Sequence, residues 1–283
     1  MSDYTLRPWQ PEDKPRLKAL WALAFGDSDA YIDAFFRALL KKDGCIVAEC
    51  DGQVVSAMYI LGGNTVYPYR KNLLSAGYTY ALATHPDYRG RGIGRAVYAA
   101  ATAQALERHD MALVLPAEER LYPFYAEASG ARVMSIMREA VIPAGALASV
   151  APARAARIPA FQYFGLRESL LAGLPHVSFS EDMMSFLEEY FETAGDFFVT
   201  ESGIAAAETA DGKCRVTELL CPDGDDMAIL AGIHAYIRAG EYTVRSPFFF
   251  DGPGDKKPVM LGVMNAEPDY PMPFDLWWGF GLD

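Results

Sequence analysis

Between residues 83 and 95 the chain reads Ala83-Thr84-His85-Pro86-Asp87-Tyr88-Arg89-Gly90-Arg91-Gly92-Ile93-Gly94-Arg95, an apolar strand running into a glycine-spaced turn that opens an Ala-rich helix. Residues of these types in this order suit an anion. Gly90, Gly92 and Gly94 let the backbone approach a ligand closely. The free N–H groups and positive dipole end of the helix that follows favour negative charge, and Arg89, Arg91 and Arg95 add cations at the same place. Spacing separates the phosphate motifs that begin this way. A P-loop needs a Lys after its second glycine, and none follows; the dinucleotide fingerprint needs a third glycine where Arg95 stands. As an ordinary helix start the segment would be costly, because each glycine forfeits about 1 kcal/mol there.

What remains is R-x-x-G-x-G, from Arg89 to Gly94, directly after a strand and a His-Pro turn. This resembles the acetyl-CoA signature of the GNAT superfamily of N-acetyltransferases. The resemblance implies that acetyl-CoA is held at Arg89, Gly90, Arg91, Gly92, Ile93, Gly94 and Arg95, chiefly by the backbone of residues 90–95. It further implies that Leu82, Ala83 and Thr84 contact the acetyl-pantetheine arm where two parallel strands splay, with a backbone N–H polarising the thioester carbonyl. The family's thiolate-protonating acid is a tyrosine in a segment like Tyr-x-x-x-Gly-Phe after the fifth strand. Here the corresponding stretch is Leu121-Tyr122-Pro123-Phe124-Tyr125-Ala126-Glu127-Ala128-Ser129-Gly130-Ala131. Tyr125 is the catalytic candidate. Tyr122 stays open beside it, because one extra residue precedes Gly130, Ala131 stands where an aromatic is common, and Pro116-Ala117 replaces the usual asparagine.

No residue is named as base: the strand over 73–84 carries no carboxylate, Tyr78 and Tyr80 on one face either line an amine pocket or pack, and His85, before a proline in a turn, reads as structural. The expected reaction is acetyl transfer from acetyl-CoA, as co-substrate, to a primary amine of a small molecule or peptide by direct attack. The missing base and the irregular Tyr125 segment leave an alternative, a CoA-binding regulatory protein with little or no turnover. Acyl groups larger than acetyl stay open.

Hydrophobic spacing supplies the elements that must position these groups. Apolar residues at helical intervals predict helices over 13–25 and from about 28, with Ser28 as N-cap. Alternation predicts strands over 45–49 and 54–61, joined by the favoured hairpin turn Asp51-Gly52, and a long strand over 73–84 entering the glycine turn. A helix to about 109, a strand over 111–115, a short helix over 118–128, a strand over 132–142 and a first strand over 4–7 complete the GNAT order. The expected fold class is therefore α/β (α+β), a mixed central sheet of GNAT type with flanking helices, over a catalytic domain at 1–142.

Residues 143–160, whose stretch from 145 is rich in Ala and Pro without periodicity, read as a linker. Beyond it the order recurs: a helix over 183–191, two strands that lay over the 43–57 hairpin, a strand over 214–220, a helix over 225–239 and a strand over 242–246. At the equivalent of the glycine turn stands Cys221-Pro222-Asp223-Gly224-Asp225-Asp226, whose carboxylates would repel a pyrophosphate. Residues 161–283 thus read as a degenerate GNAT-like domain without cofactor binding. A GNAT domain, a linker and a cofactor-less copy resemble the enhanced-intracellular-survival type of acetyltransferase, in which a C-terminal carboxylate enters the active site. The aromatic end over 274–283 is expected to pack as a last strand, and Asp283 is the matching carboxylate.

Charge and cysteine content narrow the partners. Residues 1–150 hold 16 Lys+Arg against 16 Asp+Glu, so the whole net charge of −12 lies beyond them. That argues against nucleic acid and suits either a cationic acceptor or a solvated acidic face. The acidic half is expected to shape the acceptor pocket or a subunit interface in a homo-oligomer. Cys45, Cys50, Cys214 and Cys221 form no metal-binding spacing, so reduced cytosolic thiols and no metal are expected. No stretch has the length of a bilayer span and no secretory segment opens the chain, so a cytoplasmic protein without membrane partners is expected.

Overall fold

A computed structural model of the chain describes residues 4–67, 73–265 and 276–280. A short strand, β1 (Thr5–Pro8), precedes helices α1 (Lys14–Phe25) and α2 (Asp29–Ala38). Gly26 ends α1 at φ 77°, its N–H bonding back to the Ala22 carbonyl at 3.0 Å. Ser28 starts α2 by accepting the Tyr31 N–H on its hydroxyl. Strands β2 (Cys45–Cys50) and β3 (Gln53–Tyr67) follow, joined at Asp51 and Gly52, which both take the positive φ that a two-residue hairpin turn demands. Then come β4 (Leu74–Thr84), α3 (Ile93–Leu106), β5 (Met111–Val114), α4 (Tyr122–Ser129) and β6 (Arg132–Pro143), in the order read from the sequence. Strand β3 outruns its expected end at Leu61. A bulge between Leu61 and Asn64 absorbs the glycines, and a Cβ on Gly62 would lie 2.9 Å from the His109 ring.

The second half contains β7 (Ala156–Ile158), α5 (Ala160–Leu170), β8 (His176–Ser178), α6 (Glu181–Ala194), β9 (Gly195–Val199), β10 (Ile204–Ala210), β11 (Lys213–Leu220), α7 (Asp226–Ile237), β12 (Glu241–Pro247) and β13 (Asp255–Met264). The Ala/Pro-rich stretch is not devoid of structure, since β7 pairs with β9. Strands β9, β10 and β11 run antiparallel, and α7 then crosses to a parallel β12, as β2, β3, β4, α3 and β5 do in the first half.

All of these strands except β8 lie along one mixed sheet in the order β1-β2-β3-β4-β5-β13-β6-β12-β11-β10-β9-β7, with β8 attached to β3. The order is symmetric about the β13/β6 pair. The last strand of each half sits beside the fifth strand of the other, β13 against β5 and β6 against β12. Side chains alternate between two covered faces. Val47, Ala57, Tyr59, Ile204 and Ala206 meet α1, α2, α5 and α6 on one side. Ile46, Ala48, Met58 and Val114 meet α3 and α4 on the other, where Ala205, Ala207 and Leu219 meet α7. Among the described residues no helix is long and apolar enough to cross a membrane, and no group of metal-ligating side chains comes together.

The expected last strand over 274–283 is not found within the described residues. Leu276, Trp277, Trp278 and Phe280 form a buried plug whose one β-bridge is Trp277 to His176. Side chains hold it. The Trp277 indole donates to Glu218 Oε1 at 2.6 Å, and Arg167, itself paired with Glu218 at 3.0 Å, donates to the Trp278 carbonyl at 3.1 Å. Arg167 and Glu218 are both fully buried. Asp283 lies outside the described residues.

Candidate active site

The glycine turn is built by its neighbours. After β4, His85 Nδ1 accepts the Asp87 N–H at 3.4 Å and Pro86–Tyr88 form a 3-10 turn. Arg89 Nε donates to the Thr84 carbonyl at 3.0 Å, and Arg91 donates to the Asp87 carbonyl at 2.8 Å while lying over the Tyr88 ring. Two of the three arginines therefore brace the loop. The third, Arg95, pairs with Glu127 at 2.8 Å and ties α3 to α4.

Gly90 and Gly92 adopt φ of 75° and 78°, and a Cβ on either would meet nothing within 4 Å. Positive φ requires glycine there, and the space above the turn is open. Gly92 caps α3 with no side-chain acceptor, and the first N–H returned to the turn is that of Ala96, to the Gly92 carbonyl. The amides of Ile93, Gly94 and Arg95 are thus left to an outside acceptor. Gly94 has a different reason: a Cβ there would sit 3.0 Å from Thr84 Oγ1, so its absence lets α3 close onto β4. Open turn, uncapped amides and helix dipole together suit the pyrophosphate of acetyl-CoA. In the second half the matching helix begins with Asp226, buried at 3 % exposure and bearing a carboxylate oxygen with no protein partner.

Beside the turn the sheet forks. Strands β4 and β5 pair in parallel from Ala76/Met111 to Thr79/Val114 and no further. Thr79 Oγ1 donates to the Leu113 carbonyl at 2.9 Å at the last rung. Beyond it β4 continues against β3 alone, and a bulge opposite Ala57–Tyr59 puts Ala81 at φ 53°. A cavity of about 700 Å³ passes through this fork. Met58, Leu82, Val114, Leu121 and Tyr125 line it from the α3/α4 side, and Phe25, Tyr31, Tyr80 and Phe186 from the α1/α2/α6 side. Of the other strand residues singled out in the sequence, Ala83 is buried, with its carbonyl accepting the Ser56 hydroxyl, and Thr84 Oγ1 lies 2.8 Å from the same hydroxyl.

The two tyrosine candidates separate. Tyr125 is buried on α4 with its ring edge-on to Tyr98 at 4.8 Å; it faces the cavity, and its hydroxyl takes no protein partner among the described residues. Burial, with a smaller contribution from Tyr98, pushes that hydroxyl up to about 12. Tyr122, one turn earlier, donates to the Pro258 carbonyl at 2.7 Å and lines a separate cavity of about 490 Å³. Tyr80 lines the main cavity, its hydroxyl 3.5 Å from that of Tyr31, whereas Tyr78 packs under Trp278 at 4.7 Å.

The α1/α2/α6 face of the cavity also holds Ser28, known from the sequence only as a cap, and residues that sequence reasoning did not single out: Asp27 between α1 and α2, and Glu189, Tyr190, Glu192 and Thr193 on α6. Asp27 Oδ2 accepts the Trp21 indole N–H at 2.8 Å. Arg37 pairs with Glu189, and Lys41 with Asp182 at 3.0 Å, which docks α6 against α2. No local signal links those two helices in the sequence.

The fold is of the GNAT type, and the turn and fork are similar to the donor site of acetyltransferases with that fold. Residues 5–128 match the model of an acetyltransferase (GNAT) domain. Among solved structures, the chain resembles a GCN5-related N-acetyltransferase from Kribbella flavida at TM-score 0.67 and 16% identity, over 93% of this chain and 72% of that one. It resembles Eis1 from Mycobacterium abscessus at TM-score 0.62 and 12% identity, over 93% and 73%. A tandem GNAT protein from the clavulanic acid biosynthesis pathway matches at TM-score 0.56 and 14% identity, over 94% of this chain and 100% of that one. No curated protein matches the chain.

Proposed function

We propose that the chain is an acetyl-CoA-dependent N-acetyltransferase acting on a primary amine, with residues 1–142 forming the donor side and residues 161–283, joined through 143–160, completing the acceptor side. The observation that carries this reading is the cavity through the β4/β5 fork, which connects the face carrying the uncapped α3 turn to a second face lined from both halves of the chain. The amides of residues 93–95 would take the pyrophosphate, and the free edge of β4 at Ala81–Leu82 would hold the pantetheine arm and polarise the thioester carbonyl. An amine entering past Tyr31 and Tyr80 attacks that carbonyl, the C–N bond forms and the C–S bond breaks. The Tyr125 hydroxyl gives its proton to the departing thiolate, the amine's extra proton leaves to solvent through the open mouth, and Tyr125 takes a proton back from solvent before the next turnover. Holding both reactants at the fork supplies the proximity term.

The test is thermal denaturation with and without acetyl-CoA, followed by thiol release over a panel of amines. A rise in melting temperature together with amine-dependent release supports the reading. No shift at saturating acetyl-CoA refutes it, and a shift without release on any amine favours a CoA-binding protein without turnover.

A further inference from the structure

The acceptor mouth is built of two chemistries at once. Tyr31, Phe186 and Tyr190 form one aromatic wall: Tyr31 stands edge-on to Phe186 at 5.6 Å and to Tyr190 at 5.7 Å, and the latter two rings lie nearly parallel, 13° apart. Around the wall stand carboxylates from both halves, Asp27, Glu189 and Glu192. Glu189 is engaged by Arg37, whereas Glu192, exposed on α6, makes no ion pair among the described residues.

The hydroxyls of the wall point inward to the protein. Tyr190 donates to Glu208 at 2.9 Å, and those of Tyr31 and Tyr80 face each other. Rings and carboxylates, with the hydroxyls of Ser28 and Thr193 beside them, are what a ligand meets there. Laid along the aromatic wall, a polyhydroxylated chain would press hydroxyls against ring faces that offer them no partner. An alkylammonium is suited, because the ring quadrupole attracts a cation without needing its N–H groups and the carboxylate supplies the countercharge.

Resting on the transfer reading above, we propose that the acceptor is an amine carrying a second cationic centre at the far end of a short apolar chain, an α,ω-diamine in its simplest form. The reacting nitrogen lies at the fork beside Tyr80. The chain runs over Tyr31 and Phe186, and the distal cation rests on the aromatic wall against Glu192. The contact between Tyr31 and Tyr80 and the ring spacing from Tyr31 to Tyr190 set the span, so chain length should show an optimum.

The experiment measures kcat/KM for thiol release by the full chain at saturating acetyl-CoA. Its substrates are diaminoalkanes of three to eight carbons, the monoalkylamines and amino alcohols of matched length, ω-aminoalkyl-trimethylammonium ions and a polyhydroxylated diamine. The diamine and the trimethylammonium ion should exceed the monoamine and the amino alcohol by about two- to thirtyfold, the range of a cation–π contact. The polyhydroxylated diamine should fall below the alkyl one. Glu192→Gln and Tyr190→Leu, each checked by its melting curve, should collapse the ratio of diamine to monoamine. Release that is equal for monoamine and diamine overturns the acceptor class and leaves the transfer reading standing. Selectivity lost on trimethylation overturns the aromatic contact, and release with no amine at all overturns both readings.

Discussion

Removing one oxygen atom tests the proposed acid. In Tyr125→Phe the ring keeps its place, because it is the ring that packs against Tyr98 and Phe124. The lost hydroxyl leaves no protein donor or acceptor unsatisfied among the described residues. Stability should therefore stay within about 0.5 kcal/mol of the parent. Activity should not: a positioned general acid contributes roughly 10²- to 10⁴-fold, or about 2.7–5.5 kcal/mol of barrier. The variant should thus lose that factor in kcat while its affinity for acetyl-CoA is retained. The hydroxyl acts while protonated and is held up to about 12 by burial, so activity depending on it is lost only as pH rises towards that value. The parent should show no alkaline limb from this group below about pH 11. Tyr122→Phe is the control. It removes a bond to the Pro258 carbonyl, costs about 1 kcal/mol of stability and should leave kcat nearly unchanged. Stopped-flow or end-point thiol assays across pH 6–11 read all of this. A Tyr125→Phe enzyme within threefold of the parent, or a Tyr122→Phe enzyme that loses the larger factor, would refute the assignment.

Gly92→Val forces a β-branched residue to φ 78° at the cap of α3; it should cost about 1–2 kcal/mol of stability and abolish the melting shift with acetyl-CoA, read by differential scanning fluorimetry. Glu218→Ala leaves buried Arg167 with only the part-exposed Glu168 as charge partner and frees Tyr163 and Trp277; a loss of about 3 kcal/mol is expected in chemical denaturation. Asp226 is pushed up to about 6, mainly by burial. Its folded form holds the proton more tightly than the unfolded chain, so this group's contribution is most favourable at low pH and is lost as pH rises from about 4 to 6. The penalty above that window is on the order of 2–3 kcal/mol. Asp226→Asn should flatten that slope and raise the melting temperature at pH 7–8; an unchanged pH profile would contradict the burial argument.

What the sequence by itself determined is local. The Asp51-Gly52 turn, the Ser28 cap, and the glycine turn between β4 and α3 each depend on backbone preferences expressed within a few residues, and each is where the spacing put it. The recurring order of the second half was legible for the same reason, through periods of two and 3.6 residues. Strand β13 was not, because Pro258 and two lysines argue against a central strand; a register shift at the proline accommodates it between β5 and β6. The terminal aromatic segment has strand-like composition, yet burial of Trp277 and Trp278 against Arg167 and Glu218 fixes it as a plug. The glycine turn could be read from one stretch of chain, and which of Tyr122 and Tyr125 faces the cavity could not, since β13 offers its Pro258 carbonyl to the former. The aromatic wall of the cavity required the tertiary structure altogether. Tyr31 and Tyr190, with the neighbouring Asp27 and Glu192, come from segments about 160 residues apart, docked by Arg37–Glu189 and Lys41–Asp182 pairs that no local periodicity encodes.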